Sequence, residues 1–105
     1  MLRKLLNNPH PGKLLREEFL DGLNISQNTL AKAIDVPPNR IHEIIRGRRN
    51  ITADTDLRLC KFFGLSEGYF LRLQTSYDTM EAKRHLGKKL FRIITYKQFK
   101  VSFGV

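Results

Sequence analysis

The sequence predicts an all-α fold, and three observations carry that prediction. Apolar residues recur at helical spacing in successive stretches from Pro11 onward. Each stretch is bounded by residues that start or stop helices: Ser26, Thr52 and Ser66 at openings, Gly22, Gly47 and Gly64 at ends. Strict two-residue alternation, the mark of a half-buried strand, is confined to the last few residues.

The first helix is expected to open at Pro11, because a missing N–H costs nothing in the first turn. Leu14, Leu15, Phe19 and Leu20 fall on its inner face, and Gly22 is expected to close it. Ser26 caps a second helix, Gln27 to Ile34, in which Leu30, Ala31 and Ile34 point inward. Ala31 is small enough to let another helix approach closely. Asp35-Val36-Pro37-Pro38 then breaks the pattern, since two prolines cannot continue a helix but can begin one. A third helix runs from Asn39 to Arg46, with Ile41, Ile44 and Ile45 apolar and Gly47 at its end.

Thr52 caps the fourth helix, whose Asp54 and Asp56 suit its own positive N-terminal end. Leu57, Cys60 and Phe63, flanked by Leu59 and Phe62, form its apolar face, and Gly64 stops it. Ser66 caps a fifth helix beginning Glu67-Gly68-Tyr69-Phe70 and running toward Lys83. Beyond it, Phe99, Val101, Phe103 and Val105 alternate with Lys100, Ser102 and Gly104. That period argues for a strand, which must pair with something to be stable; a disordered basic tail is the alternative. The domain organisation is therefore an N-terminal arm (1–10), a helical domain (11–82) and a basic C-terminal tail (83–105).

A chain of 105 residues supports one core. Nineteen Lys and Arg against ten Asp and Glu give a net charge of +9, a field that draws in polyanions, nucleic acid first and an anionic membrane surface second. The single cysteine, Cys60, sits among Leu57, Leu59, Phe62 and Phe63 and reads as a small buried hydrophobe. No apolar run reaches the length of a membrane span, and no apolar segment follows Met1-Leu2-Arg3-Lys4, so a cytoplasmic location is expected. His10, His42 and His85 share no metal-ligand spacing, and neither a phosphate loop nor a nucleophile elbow is present. No metal, no cofactor and no enzymatic activity are expected.

The two short helices around the Asp35–Pro38 break form a helix-turn-helix. A major groove about 12 Å wide accepts one helix, provided it is rigidly braced and polar on its outer face. Leu30, Ala31, Ile34, Val36, Ile41, Ile44 and Ile45 supply the brace, leaving Pro38, Asn39, His42, Glu43 and Arg46 pointing outward. Asn39 suits adenine, Glu43 suits cytosine, and Arg40 or Arg46 suits guanine or phosphate. Gln27 and Asn28 at a helix start suit a phosphate, and Arg48 and Arg49 should meet the backbone. Tyr69, Phe70, Leu73 and Tyr77 are candidates for a two-fold contact, with membership of the monomer core as the other reading.

Pro9 to Leu20, Ser26 to Ala31, Asn39 to Ile41, Ile44 to Arg49, Ile51 to Leu59 and Phe70 to Gln74 together resemble the HigA family of addiction-module antitoxins, also called VapI-type. The resemblance spans about Pro9 to Asp78. It implies a five-helix, lambda-repressor-like fold, and a homodimer that represses its own operon and neutralises a HigB-type toxin, a small RNA-cleaving protein. In that superfamily a residue like Gln27 contacts DNA, positions like Pro38, Asn39 and Glu43 face the bases, and ones like Arg40 and Arg48 meet phosphates. Pro38 offers an apolar touch to a thymine methyl in place of side-chain hydrogen bonds. HigB-type toxins are themselves often basic, which leaves docking to acidic patches such as Glu17-Glu18-Asp21 and to hydrophobic surface. Two alternatives stay open: a stand-alone regulator without a toxin, and a toxin-sequestering module whose DNA binding is secondary.

Overall fold

The computed structural model describes residues 7–104; residues 1–6 of the expected arm and Val105 lie outside the described residues. Among the described residues the chain forms seven helical segments and no strand. Helix α1 covers residues 11–23, α2 is Gln27–Ala33, α3 is Pro38–Ile45, α4 is Ala53–Phe63, α5 is Tyr69–Leu86, α6 is Lys88–Phe91 and α7 is Tyr96–Phe103.

Pro11 opens α1 as expected, and the His10 ring caps it: Nδ1 accepts the Gly12 N–H at 2.9 Å. The middle of α1, Leu15–Leu20, widens into a π-helix. Its wider turn suits a five-residue spacing, and Leu15 and Leu20 are both buried. The expected stop at Gly22 is wrong by one short step. Gly22 lies inside the helix, and Asn24 supplies the left-handed residue instead, at φ 54°. Asparagine tolerates that conformation almost as glycine does.

Ser26 caps α2 by accepting the Thr29 N–H at 3.0 Å, and Thr52 caps α4 by accepting from Thr55. Between α2 and α3 the turn passes through Asp35 at φ 58°, with Val36 donating back to the Ala31 carbonyl at 3.0 Å. Helix α3 begins with Pro38 rather than Asn39, because a proline is already set for the first helical position.

The buried core joins Leu15 and Leu20 of α1, Leu30 and Ala31 of α2, Ile41 and Ile44 of α3, Leu59 and Cys60 of α4, and Phe70 of α5. The inner face of α4 is turned relative to expectation. Thr55, Asp56, Leu59 and Cys60 are buried, whereas Leu57 is 48% exposed and Phe62 41%. Burial pushes the Cys60 thiol up from its ordinary range, in keeping with a packing role.

Asp56 explains the turned face. The carboxylate is 1% exposed and accepts N–H groups of Gly68 (2.8 Å), Phe70 (2.8 Å) and Leu71 (3.1 Å). It therefore serves the positive end of α5 rather than that of its own helix. Ser66 does not cap α5 with its side chain; the helix starts at Tyr69 behind Gly68, whose φ is 91°.

The tail departs most from expectation. Tyr96–Phe103 is a helix, not a strand. A capping box starts it: Thr95 Oγ1 accepts the Gln98 N–H at 3.2 Å while Gln98 Oε1 accepts the Thr95 N–H at 3.1 Å. Phe99 and Phe103, four residues apart, bring their rings to 4.8 Å. These local bonds need no partner strand, so the alternating pattern is overridden.

Candidate nucleic-acid interface

The predicted reading head is built by the crossing of α2 and α3. Ala31 on one helix and Ile41 and Ile44 on the other have no exposed surface, and both helices share one core cluster. A third element braces them. A Cβ at Gly12 would lie 1.7 Å from the Ile44 carbonyl oxygen, so the start of α1 rests on the backbone of α3 itself. Glycine is the one residue that permits this approach. Gly12 stands in the sequence without any pattern that announces this role.

The outer face of α3 is polar, but its side chains are in different states. Pro38 and Asn39 are exposed at the N-terminal end of the helix. Arg40 is turned aside: its Nη1 donates to Asp54 Oδ1 at 3.0 Å, and Arg58 Nε donates to the same oxygen at 2.8 Å. The Arg58 hydrogen bond, with help from Arg40, holds the Asp54 carboxyl below the usual carboxylate range. Glu43 accepts Arg49 through Nε at 3.0 Å and Nη2 at 2.7 Å, so these two present themselves as a pair. Arg48 is exposed, and its N–H donates to the Glu43 carbonyl at 2.8 Å.

Four of the predicted residues meet in one shallow depression. Gln27, Asn28, His42 and Arg46, with Ser26, line a pocket of about 350 Å3 where α2 and α3 diverge. His42 Nε2 lies 3.1 Å from Asn28 Oδ1, which ties the two helices on the outer side as Ala31 and Ile41 do on the inner. The depression is open and lined by hydrogen-bonding groups, a shape suited to a backbone or base edge. Among the described residues no three His, Cys, Asp or Glu side chains gather where a metal could sit.

Two supports were not legible in the sequence. Gln74 is 5% exposed, and its Oε1 accepts the Ile51 N–H at 2.8 Å while its Nε2 donates to Asp78 at 3.0 Å. This fixes the end of the loop that carries Arg48 and Arg49. His10 packs edge-on against Tyr77 at 5.0 Å and sits under Gly47, the residue that ends the reading head. Burial lowers its pKa below the ordinary 6.5, against smaller upward pulls from Asn50 and Asp78. Neither residue belongs to a periodic pattern, and a polar residue on α5 has no local feature that marks it as buried.

Of the candidates for a two-fold contact, Phe70 is corrected. It is 0% exposed within the single chain, enclosed by Phe19, Phe63 and Tyr69, and has no surface to offer a second copy. Tyr69, Leu73 and Tyr77 are half-buried. Tyr69 already leans on Phe19 at 6.0 Å and Tyr77 on His10, so each keeps one face outward.

The helix-turn-helix family pattern matches residues 15–70 of the chain. Virulence-associated protein I of Dichelobacter nodosus is 49% identical over 75 residues, covering 71% of this chain and 69% of that protein. An addiction module antidote protein of the HigA family from Coxiella burnetii superposes with a TM-score of 0.77 at 45% identity, covering 83% of this chain and 95% of that one. The antitoxin HigA of Pseudomonas aeruginosa, solved with the higBA promoter, superposes with a TM-score of 0.78 at 35% identity, covering 84% and 96%.

Proposed function

The chain belongs to the helix-turn-helix family and within it to the HigA-type antitoxins, and on that premise we propose that it binds its own operator and represses the operon it belongs to. The observation that carries this reading is the braced, outward-facing α3. Gly12 lies against its backbone, Ala31 beneath it, and its polar face is turned to solvent. The Pseudomonas aeruginosa relative was solved with promoter DNA, which supports the same use of the surface here.

In this reading Asn39, Pro38 and Glu43 face base edges, Glu43 exchanging its bond to Arg49 for one to a base. Gln27, Asn28, His42 and Arg46 close on the strand that fills the depression, and Arg48, Arg49 and Arg40 neutralise phosphates, Arg40 by leaving Asp54. Residues 11–82 are the binding domain of a five-helix, lambda-repressor-like type, with an arm before it and the basic tail of 83–105 after it. Tyr69, Leu73 and Tyr77 contribute to a homodimer whose half-sites lie about one helical turn apart. The second partner is a HigB-like toxin, and the protein works in the cytoplasm; among the described residues no helix is long and apolar enough to cross a membrane.

Footprinting on the DNA upstream of the gene tests the reading. An inverted repeat should be protected, and Asn39→Ala should lose about 1–3 kcal/mol of discrimination between that site and a scrambled one. A uniform, unprotected ladder would overturn it.

A further inference from the structure

The charge that marks this chain as a polyanion binder is not where the reading head is. Residues 1–81 carry twelve Lys and Arg against ten Asp and Glu, whereas residues 82–105 carry seven against none. Within the first group, Arg40 and Arg58 are engaged with Asp54, and Arg49 with Glu43. The helix-turn-helix body therefore carries only a small positive surplus, and nearly all of the chain's excess positive charge lies in residues 82–105.

The tail leaves the body at a telling place. Helix α5 passes Ile51 at Gln74, then at Tyr77 the His10 ring, which itself sits under Gly47. Asn8 Nδ2 donates to the Tyr77 carbonyl and to Glu81, each at 3.1 Å. The helix then runs on to Leu86. From residue 81 to residue 104 every position is exposed, and the molecule is 61 Å long but only 26 Å and 23 Å across.

We propose that residues 82–104 are a second, sequence-independent arm of the same interface, gripping the phosphate backbone of duplex flanking the recognition site. The inference rests on the regulator reading above. Charge selects the occupant: a cationic segment without a single carboxylate is complementary to a phosphate chain, while two copies of it repel each other. Place selects it too, since the arm begins five residues after Tyr77, whose ring partner His10 sits under Gly47, the residue just before Arg48 and Arg49. From Tyr77 to Leu86 the helix advances about 13 Å at 1.5 Å per residue. Within α7 the Phe99 and Phe103 rings meet and Lys100 Nζ lies 5.9 Å over the Tyr96 ring, contacts that support the short helix without any partner from the body.

The test compares the full chain with a variant carrying Lys88→Gln, Lys89→Gln, Arg92→Gln, Lys97→Gln and Lys100→Gln. Circular dichroism confirms that both are folded. Affinity is measured across a salt series for the upstream duplex with 15 flanking base pairs and for a scrambled duplex of equal length. Each phosphate contact contributes about 0.9 to the slope of log affinity on log salt. If each of the five charges meets a phosphate, the variant should therefore lose about 4.5 units of slope on both duplexes, with its preference for the upstream site kept within about twofold. An unchanged slope overturns the arm. So does an unchanged slope together with lost binding to vesicles of anionic phospholipid, which would assign the segment to a membrane surface. If the parent chain shows no preference for the upstream duplex, the regulator reading falls, while the scrambled duplex still measures the arm.

Discussion

The body of the molecule and its tail solve the problem of staying folded in different ways. In residues 7–80 the helices are tied to one another by contacts far along the chain: Asp56 to the start of α5, Gln74 to Ile51, Gly12 to the carbonyl of Ile44. In residues 82–104 every hydrogen bond described joins residues a few positions apart, and Phe91, Ile93, Tyr96 and Val101 are largely open to water. The difference teaches that the two regions are suited to different tasks. A surface that discriminates bases must hold its groups within a fraction of an ångström, which needs a cooperative core. A segment that supplies charge to phosphates needs only to be present and positive.

The sharpest break of this contrast is Asp56→Ala. It strands three N–H groups at the buried start of α5, each costing about 1–3 kcal/mol if left unmet. With partial relaxation, chemical denaturation should report a loss of about 3–5 kcal/mol. A loss under 1 kcal/mol would mean that water reaches the site. Gly12→Ala comes next. The new methyl must push α1 off the Ile44 carbonyl, at a cost of about 3 kcal/mol, the upper part of the usual overpacking range. Operator affinity should fall further than the melting temperature implies, because α3 is what moves. Equal losses in both measurements would remove Gly12 from the positioning of the reading head.

Smaller still is the pH response of His10. Its pKa in the fold lies below the ordinary 6.5, so the folded state prefers the neutral ring, whose Nδ1 accepts the Gly12 N–H. Stability from this residue is complete above pH 6.5 and is lost as pH falls from 6.5 toward the lower native pKa. A urea series across that window should show the step in the parent chain and not in His10→Gln. A step that survives the substitution belongs to other groups. Smallest of all, Phe91→Ala at 90% exposure should change stability by less than about 0.5 kcal/mol. A larger change would show that the tail is packed against something in solution.

Much of the local structure was legible before any coordinates. Ser26, Thr52, Pro38 and Gly64 mark their helix ends because the bonds concerned close within a few residues, where sequence neighbours are spatial neighbours. The crossed pair of short helices followed from Ala31, Ile41 and Ile44 on the same ground, and its polar outer face with it. The tail shows the limit of that reasoning. A two-residue alternation and a Thr95–Gln98 capping box point to opposite structures, and the capping box, which needs no partner, prevails.

What the chain determined by itself was the order of its first five helices, the composition of the outer face of α3 and its overall charge. These depend on spacing, on capping chemistry and on counting. Tertiary structure alone decided that Asp56 serves a helix other than its own, that Phe70 is sealed inside one copy, that Gln74 steadies the arginine loop and that Gly12 sets the distance between α1 and α3. Each of these joins residues a dozen or more positions apart, and no local pattern encodes which distant backbone a side chain will meet.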